Sequence, residues 1–399
     1  MKTERLLFLT LVAWPTVGLA QQDTGQLDWS LSFRPRYEFV AQDPFPDNAN
    51  ALTMRTLAGF TFRPIGSLSA RVEFIDVSQF VDDFNDTRNG KVAFPIVVDP
   101  KHTDVNELYL EYSDAATITA GRQAVRLNRT RFIGAQDFRQ TMQVFDGAVI
   151  DLPLPVASRL GNFSLYGAYF DRRTTVRAIN RDDDVGVVRA DWTWSSGNSL
   201  LLSAYWHDKQ LPSGVPDTSY RIESIRWDGL HDVAWGAQLN YTFDYAKQRP
   251  YAGNQLNLEP HYARAGGGLI WSRAFVRMDY EVLGSRDGVY AFQTPLANNH
   301  AYLGWSDLFV VTPRQGIRDW WTTFGGNIGP VAMLVEHHQL QSDYADIDFG
   351  YETDFGAAWT LRKGLLGKLQ FADYRSGDDP LNLRPNTTKV WLTVVWVVR

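Results

Sequence analysis

The 399-residue chain contains no cysteine and no long apolar run. The absence of cysteine excludes disulfide-stapled folds and thiol chemistry. A transmembrane helix needs about 20 consecutive apolar residues, so helical membrane proteins are excluded as well. The chain also lacks an excess of positive charge, because 39 Lys and Arg stand against 45 Asp and Glu, for a net charge of −6. We therefore do not expect nucleic acid as a partner.

The chain begins with the layout of a secretory signal peptide over residues 1–20. Lys2 and Arg5 precede an apolar stretch, and Gly18 and Ala20 supply small residues at the cleavage site. The apolar stretch is too short to anchor the chain in a bilayer. Cleavage after Ala20 removes two basic residues and one acidic residue, so the mature chain is slightly more acidic than the precursor.

Aromatic residues are abundant, with 14 Trp, 17 Tyr and 23 Phe, and many lie in runs where apolar and polar residues alternate. In the segment 231–246, alternation runs from Trp235: Trp235, Leu239 and Phe243 share one side, whereas amides, a hydroxyl and the Asp244 carboxylate share the other. Successive side chains of a strand point to opposite faces. We expect the apolar face to lie in lipid and the polar face to line a watery lumen.

Counting such segments gives eighteen strands, give or take two, and an even number suits one closed barrel. The predicted fold is all-β: a single transmembrane antiparallel β-barrel over residues 21–399, with short periplasmic turns and longer extracellular loops. A secreted protein of several β-sandwiches is the alternative. Sandwiches bury aliphatic faces, however, whereas here the apolar faces end in Trp or Tyr, as aromatic belts at membrane interfaces do. The barrel places the protein in the bacterial outer membrane, with lipid, lipopolysaccharide and the barrel-assembly machinery as partners.

Three sets of residues resemble the alginate-export family of outer-membrane barrels. They are 36–40 with 52–56; 98–100, 105–110, 121–123 and 131–134; and 294–300, 304–307 and 312–313. The third set is the most specific, because it lies in a loop where strand alternation does not dictate the sequence. The resemblance spans nearly all of the mature chain and implies a barrel of the counted size with an arginine-rich conduit for an anionic polysaccharide. The chain departs from such barrels at its end, which is Arg399 rather than an aromatic residue.

Arginines on the polar faces are the candidates for contact with the cargo. A guanidinium offers a planar fork to a carboxylate, and rings of Arg or Lys are one way in which anion pores select. The candidates for a lumen constriction are Arg34, Arg36, Arg55, Arg71, Arg122, Arg126, Arg129, Arg131 and Arg139. The alternative is a lattice of salt bridges, because Glu38, Glu73 and Glu281 face the lumen by the same rule. The sequence leaves both interpretations open.

The segment 292–312 is long for a loop and rich in aromatic residues. Large aromatic side chains are costly to leave in water. We therefore expect this segment to fold into the pore or to cover its mouth, as plugging loops do in barrels. Its candidates for gating residues are His300, Trp305 and Asp307.

Motifs for metal, cofactor or catalysis are weak. His337 and His338 look like a metal pair, but adjacent strand residues point to opposite faces and cannot bind one ion together. The acidic run 182–184 fits a solvated loop better than a calcium site. The glycine run 266–268 lies inside an alternating strand and predicts a bend or bulge rather than a phosphate loop. We predict no metal, no cofactor and no catalytic residue.

Three functions are open. We favour passive export of an anionic, alginate-like polysaccharide, with periplasmic polysaccharide-secretion proteins as partners. The second is uptake of small solutes by a substrate-selective porin. The third is an outer-membrane enzyme such as an acyl hydrolase, which needs a polar Ser or His on an apolar face near the rim. No strand offers a clear residue of that kind, so we do not expect an enzyme.

Overall fold

Eighteen strands form the wall of one closed antiparallel barrel in the computed structural model. The structure describes residues 26–154, 161–194, 197–256 and 259–398. The strands are β1 (Leu27–Gln42), β2 (Ala49–Ile65), β3 (Leu68–Asp83), β4 (His102–Ser113), β5 (Thr117–Gln123), β6 (Val144–Leu154), β7 (Asn162–Thr174), β8 (Asp184–Trp194), β9 (Asn198–Asp208), β10 (Tyr220–Asp232), β11 (Gln238–Pro250), β12 (His261–Ile270), β13 (Ala274–Leu283), β14 (Ile317–Ile328), β15 (Val331–Gln341), β16 (Asp348–Arg362), β17 (Leu365–Ser376) and β18 (Thr387–Val398). The predicted signal peptide and Arg399 lie outside the described residues.

The first and last strands close the sheet. β1 pairs with β2 on one side and with β18 on the other, both antiparallel. Short turns such as 66–67 and 363–364 join strands at the end where β1 begins and β18 finishes. The opposite end carries the longer connections, the longest being 124–143 and 284–316. The predicted all-β barrel, its strand number and its division into short turns and long loops are confirmed.

Alternation sorts the side chains of the wall as expected. On β11, Phe243 and Tyr245 point outward and are each 50% exposed, whereas Thr242 and Asp244 point inward and are buried. Apolar side chains left on the outer surface suit contact with lipid. Among the described residues, no helix has both the length and the apolar character needed to cross a membrane.

The predicted strand 231–246 begins too early. β10 continues to Asp232, the 3-10 helix Ala234–Gly236 makes the turn, and β11 starts only at Gln238. Trp235 has a positive φ of 59° and is 92% exposed, so it stands at the tip of this turn. Alternation misled here because it continues through the turn residues, and it carries no information on where the neighbouring strand ends.

Two glycines lie inside regular strands although the sequence suggests otherwise. Gly229 follows Asp228 in a pair typical of a turn, and Gly266 begins the run 266–268 that predicts a bend or bulge. A Cβ on Gly229 would lie 2.0 Å from the Tyr241 ring, and one on Gly266 would lie 1.9 Å from Asp279 Oδ1. The register of β11 with β12 runs without a shift through the glycine run 266–268. Close approach of a cross-strand side chain therefore explains these glycines, and the expected turn and bulge are absent from β10 and β12.

The core inside the barrel is supplied by two long connections. We call 124–143 the first inner loop and 284–316 the second inner loop. Phe132 of the first inner loop packs edge-on against wall residues Tyr205 and Tyr262, with ring centroids 5.7 and 5.3 Å away. Both inner loops contribute buried aromatic side chains, so the lumen is filled across its middle rather than open.

Candidate functional site

The first inner loop is held by two buried arginines of β1. Arg34 Nε donates to Gln140 Oε1 at 2.8 Å, and its Nη1 donates to the Asp137 carbonyl at 2.7 Å. Arg34 and Arg36 both donate to the Phe138 carbonyl, at 3.3 and 2.6 Å. A loop without a strand partner must satisfy its backbone groups elsewhere. These guanidinium groups supply the donors for its carbonyl oxygens.

The side chains of Asp99 and Gln140 complete this attachment. Asp99 accepts a hydrogen bond from Arg36 Nη2 and another from the Gln140 backbone N–H, the latter at 2.8 Å. The Gln140 amide in turn donates to the Arg34 carbonyl at 3.1 Å and to Thr53 Oγ1 at 2.9 Å. All five residues are buried, so the first inner loop is tied to β1, β2 and the loop before β4.

The second inner loop is held by buried carboxylates of β16. Glu352 accepts hydrogen bonds from the backbone N–H of Ser306, at 2.6 Å, and from its hydroxyl. Asp354 Oδ2 accepts the backbone N–H of Trp305 at 3.2 Å. The chemistry is the reverse of that at β1, since here the wall supplies acceptors and the loop supplies donors.

The two inner loops contact each other in the middle of the barrel. Arg139 Nη2 donates to Asp307 Oδ2 at 2.8 Å, and His300 Nδ1 lies 3.1 Å from Asp307 Oδ1. The backbone N–H of Gly134 donates to the Leu296 carbonyl at 2.9 Å. An ion pair and a backbone hydrogen bond therefore join the two inner loops.

The charges at this junction depart from their solution behaviour. Burial lowers the pKa of His300 to about 4, although Asp307 opposes the shift. Burial alone would raise the pKa of Asp307, but Arg139 and His300 outweigh it and hold that pKa well below its usual range. At neutral pH His300 is therefore uncharged and Asp307 is ionised, so the imidazole Nδ1–H donates to the carboxylate. The Phe138 ring stacks on the imidazole.

The other predicted arginines of the first inner loop also have acidic partners. Arg131 is buried and forms two hydrogen bonds of 2.8 Å with the Glu281 carboxylate of β13. Arg129 lies 3.2 Å from Asp228 of β10. Two further strands on the far side of the barrel are thereby linked to this loop.

Arg55 and Arg126 lie beside the Arg34 attachment. Arg55 is directly opposite Arg34 in the register of β1 with β2, and its Nη1 has no hydrogen-bond partner among the described residues. Arg126 pairs with Asp137, at 2.6 and 2.8 Å, and about a third of its side chain stays exposed. Among the arginines around this attachment, Arg55 and Arg126 are the ones least engaged in hydrogen bonds with backbone carbonyl oxygens.

Arg71 and Arg122 belong to separate groups of ion pairs. Arg71 of β3 donates to Glu107 of β4 at 2.7 Å. Arg122 of β5 donates to Asp146 of β6 at 2.7 Å and to Asp104 of β4 at 3.3 Å. These pairs cross neighbouring strands and fit the lattice that the sequence left open as the alternative for its arginines.

Sequence reasoning missed several residues that build this site. Asp99 lies in the stretch 98–100 that resembles the alginate-export family, so a signal for it was present. For Gln140, Glu352 and Asp354 the sequence offers no comparable signal, because each acts through a partner brought close only by the loop path.

Comparison with known proteins agrees with this architecture. A family model described as alginate export matches residues 26–271, more than half of the chain. A search of curated proteins finds no matching sequence. Solved structures share the fold at low identity. OpdK of Pseudomonas aeruginosa, solved with vanillate, is 12% identical with a TM-score of 0.70, and the match covers 93% of this chain and 98% of that one.

Two further solved structures give similar values. OccK9 (OpdG) of Pseudomonas aeruginosa is 13% identical with a TM-score of 0.71, covering 93% of this chain and 98% of its own. OccAB4 of Acinetobacter baumannii is 10% identical with a TM-score of 0.68, covering 94% and 99%. At these identities the likeness concerns the fold.

Proposed function

Since this chain belongs to the alginate export family and is an outer-membrane channel, we propose that it passes anions bearing carboxylates by passive diffusion. The observation that carries the proposal is the unpaired Nη1 of Arg55, beside the ion pair of Arg126. A guanidinium N–H without an acceptor inside a protein is unfavourable. A carboxylate of the cargo supplies that acceptor, and the contact stays weak enough for release because it is single.

The two inner loops favour a small acid as the cargo. They fold into the lumen and are attached to different strands of the wall, through Arg34 of β1 and through Glu352 of β16. A small solute needs only a local displacement of side chains, whereas a polymer needs both loops to move at once. OpdK, which shares the fold, was solved with vanillate, itself a small carboxylate.

Export of an anionic polysaccharide is the second candidate, and the family match supports it. Its cargo would meet the same Arg55, but the ion pair of Arg139 with Asp307 would have to open for a chain of sugars to pass. Periplasmic secretion proteins would then deliver the polymer. Either cargo leaves insertion of the barrel to the assembly machinery of the outer membrane.

Single-channel recording in planar bilayers tests the proposal. We expect the wild-type channel to prefer anions and Arg55→Glu to lose most of that preference. Arg172→Glu makes the same charge change at a side chain that is 53% exposed, and it should leave the preference unchanged. Cation selectivity of the wild type, or equal effects of the two substitutions, would contradict an anion channel.

The same recordings separate the two cargoes. Glucuronate and vanillate should permeate, as read from the reversal potential, if small acids are carried. Uronate oligomers that cross and give long, length-dependent blocks would favour the polysaccharide. Neutral sugars of matched size serve as the control for simple obstruction.

We also propose that the second inner loop limits the conductance. Deleting residues 298–309 removes Trp305 and Asp307 from the lumen, and we expect the conductance to rise severalfold. Deleting residues 212–216, in an exposed connection, is the control and should change little. An unchanged conductance in the first deletion would show that the loop does not gate.

A further inference from the structure

Four carboxylates and one imidazole are buried together on the inner face of three neighbouring strands. They are Asp319 of β14, Glu336 and His338 of β15, and Glu352 and Asp354 of β16. The register places Glu336 directly opposite Asp354 and His338 directly opposite Glu352. Like charges directly opposite each other repel. Burial makes the repulsion stronger, because it removes the solvent that would screen it.

The cations of the protein leave this cluster largely unneutralised. Within the described residues, the only ion pairs of the four carboxylates are with His338, from Nδ1 to Asp319 at 2.8 Å and from Nε2 to Asp354 at 3.8 Å. The arginines of the next strands are engaged elsewhere, for Arg264 and Arg277 both pair with Asp279. One imidazole faces four carboxylates.

Three polar atoms of the cluster have no hydrogen-bond partner in the described structure. They are Asp319 Oδ1, His338 Nε2 and Asp354 Oδ1. The side chains of His338 and Asp354 are 4% and 0% exposed. Glu336, His338 and Asp354 can each direct one ligand atom into the same space, with these atoms within 4.8 Å of one another. Buried polar atoms are normally satisfied, so the unpaired atoms of His338 and Asp354 beside Glu336 call for a ligand.

We propose that Glu336, His338 and Asp354 bind one divalent metal ion of the zinc class. One imidazole nitrogen and two carboxylate oxygens form a donor set that Zn²⁺ accepts in proteins. A positive ion between Glu336 and Asp354 also removes the repulsion that the register creates. The site is independent of the cargo of the channel.

Two residues orient the ligands. His338 Nδ1 donates to Asp319 Oδ2 at 2.8 Å, which leaves the lone pair of Nε2 free for the metal. A carboxylate behind a ligating histidine is the usual arrangement at such sites. Thr323 Oγ1 donates to Glu336 Oε1 at 2.8 Å and fixes that carboxylate. The backbone N–H of Trp305 donates to Asp354, so the metal would also brace the second inner loop.

Metal titration of the refolded full-length mature protein in detergent tests the site. The protein is stripped with EDTA and titrated with Zn²⁺ or Co²⁺, and bound metal is measured after desalting together with the Tm. We expect one equivalent of metal per chain, a raised Tm and, with Co²⁺, a visible absorption band typical of a metal ion with few ligands. His338→Gln removes one of the three ligands and should weaken binding by more than the roughly tenfold that loss of an outer-shell partner costs.

His337→Gln is the matched control. This neighbour is exposed on the opposite face of β15, where its Nδ1 lies 3.0 Å from Thr353 Oγ1, and its substitution should leave metal binding unchanged. Less than stoichiometric binding by the wild type, or wild-type affinity in His338→Gln, overturns the proposal and means that protons neutralise the carboxylates. If His338→Gln fails to give the heat-modifiable folded band, Glu336→Gln is used with the same expected loss.

Discussion

Two regions of the wall, β1 with β2 (the basic side) and β14 to β16 (the acidic side), hold the inner loops by opposite chemistry. On the basic side, Arg34 binds the loop through carbonyl oxygens. On the acidic side, Glu352 and Asp354 bind it through backbone N–H groups. The guanidinium fork has five N–H donors and can saturate them on neutral carbonyls. Within the described residues, both sides keep some unpaired polar atoms: an N–H of Arg55 on the basic side, and an oxygen each of Asp319 and Asp354 on the acidic side.

The difference extends to the charges themselves. Arg36 lies between two carboxylates, Glu38 at 3.4 Å and Asp99, both buried with it. The basic side therefore supplies its own counterions from β1 and from the loop before β4. On the acidic side, His338 is the only counterion that the described residues supply, so the remaining neutralisation has to come from a proton or a metal. The basic side is thus suited to fixing a loop permanently, and the acidic side to fixing one conditionally.

Of the substitutions that test this comparison, removal of the Arg34 side chain should destabilise the protein most. Arg34→Ala leaves buried carbonyl oxygens of the first inner loop without donors, and we expect the free energy of unfolding to fall by about 3–5 kcal/mol. Urea unfolding of the refolded protein in lipid vesicles measures the loss. Arg63→Ala is the control, because Arg63 forms a partly exposed pair with Asp28 and such pairs contribute about 0–1 kcal/mol. Equal losses in the two variants would mean that other contacts hold the loop.

Lowering the pH should test the junction of the two inner loops independently of their attachments to the wall. The pKa of His300 is lowered to about 4 by burial, so the unfolded chain takes up a proton at higher pH than the folded one. Stability is complete above about pH 6.5 and declines as the pH falls toward 4, by up to about 3 kcal/mol at 1.36 kcal/mol per pKa unit. Asp307 stays ionised in this window, because its pKa lies below its usual range.

Urea midpoints between pH 7 and pH 4.5 measure this decline. His300→Gln should reduce the slope, since His300 is gone while His207, which is also buried, remains. His231→Gln, at an exposed histidine, should keep the wild-type slope. A wild-type slope in the His300 variant would assign the decline to another group.

The sequence predicts the wall far better than the site. Alternation of period two identifies which residues face inward, and Arg34, Arg36 and Glu38 are buried inside as expected. It also correctly places His337 and His338 on opposite faces. Both results depend on local geometry alone. The start of β11 was missed because the end of a strand depends on its neighbour as well as on its own residues.

The partners of the inward residues could not be predicted. Arg34 and Gln140 are 106 positions apart, and Ser306 and Glu352 are 46 apart. Their contact requires both the strand register and the path of an inner loop, and neither follows from a repeat of two. For the same reason, the sequence argument against a histidine pair was right about His337 but could not reveal the carboxylates around His338.

Removing a carboxylate from the acidic side should have the smallest effect on stability. The contrast with Arg34→Ala sharpens the comparison of the two sides. In EDTA, Glu336→Gln weakens the hydrogen bond that Thr323 Oγ1 donates, since a neutral amide oxygen replaces the carboxylate. The substitution also removes the repulsion from Asp354 directly opposite. These effects oppose each other, so we expect a change in the free energy of unfolding below about 1 kcal/mol, each being of that order. The loss at Arg34 has no such compensation. Urea unfolding with and without Zn²⁺ measures both, and a loss in EDTA as large as that of Arg34→Ala would show that the acidic side is satisfied by the protein alone.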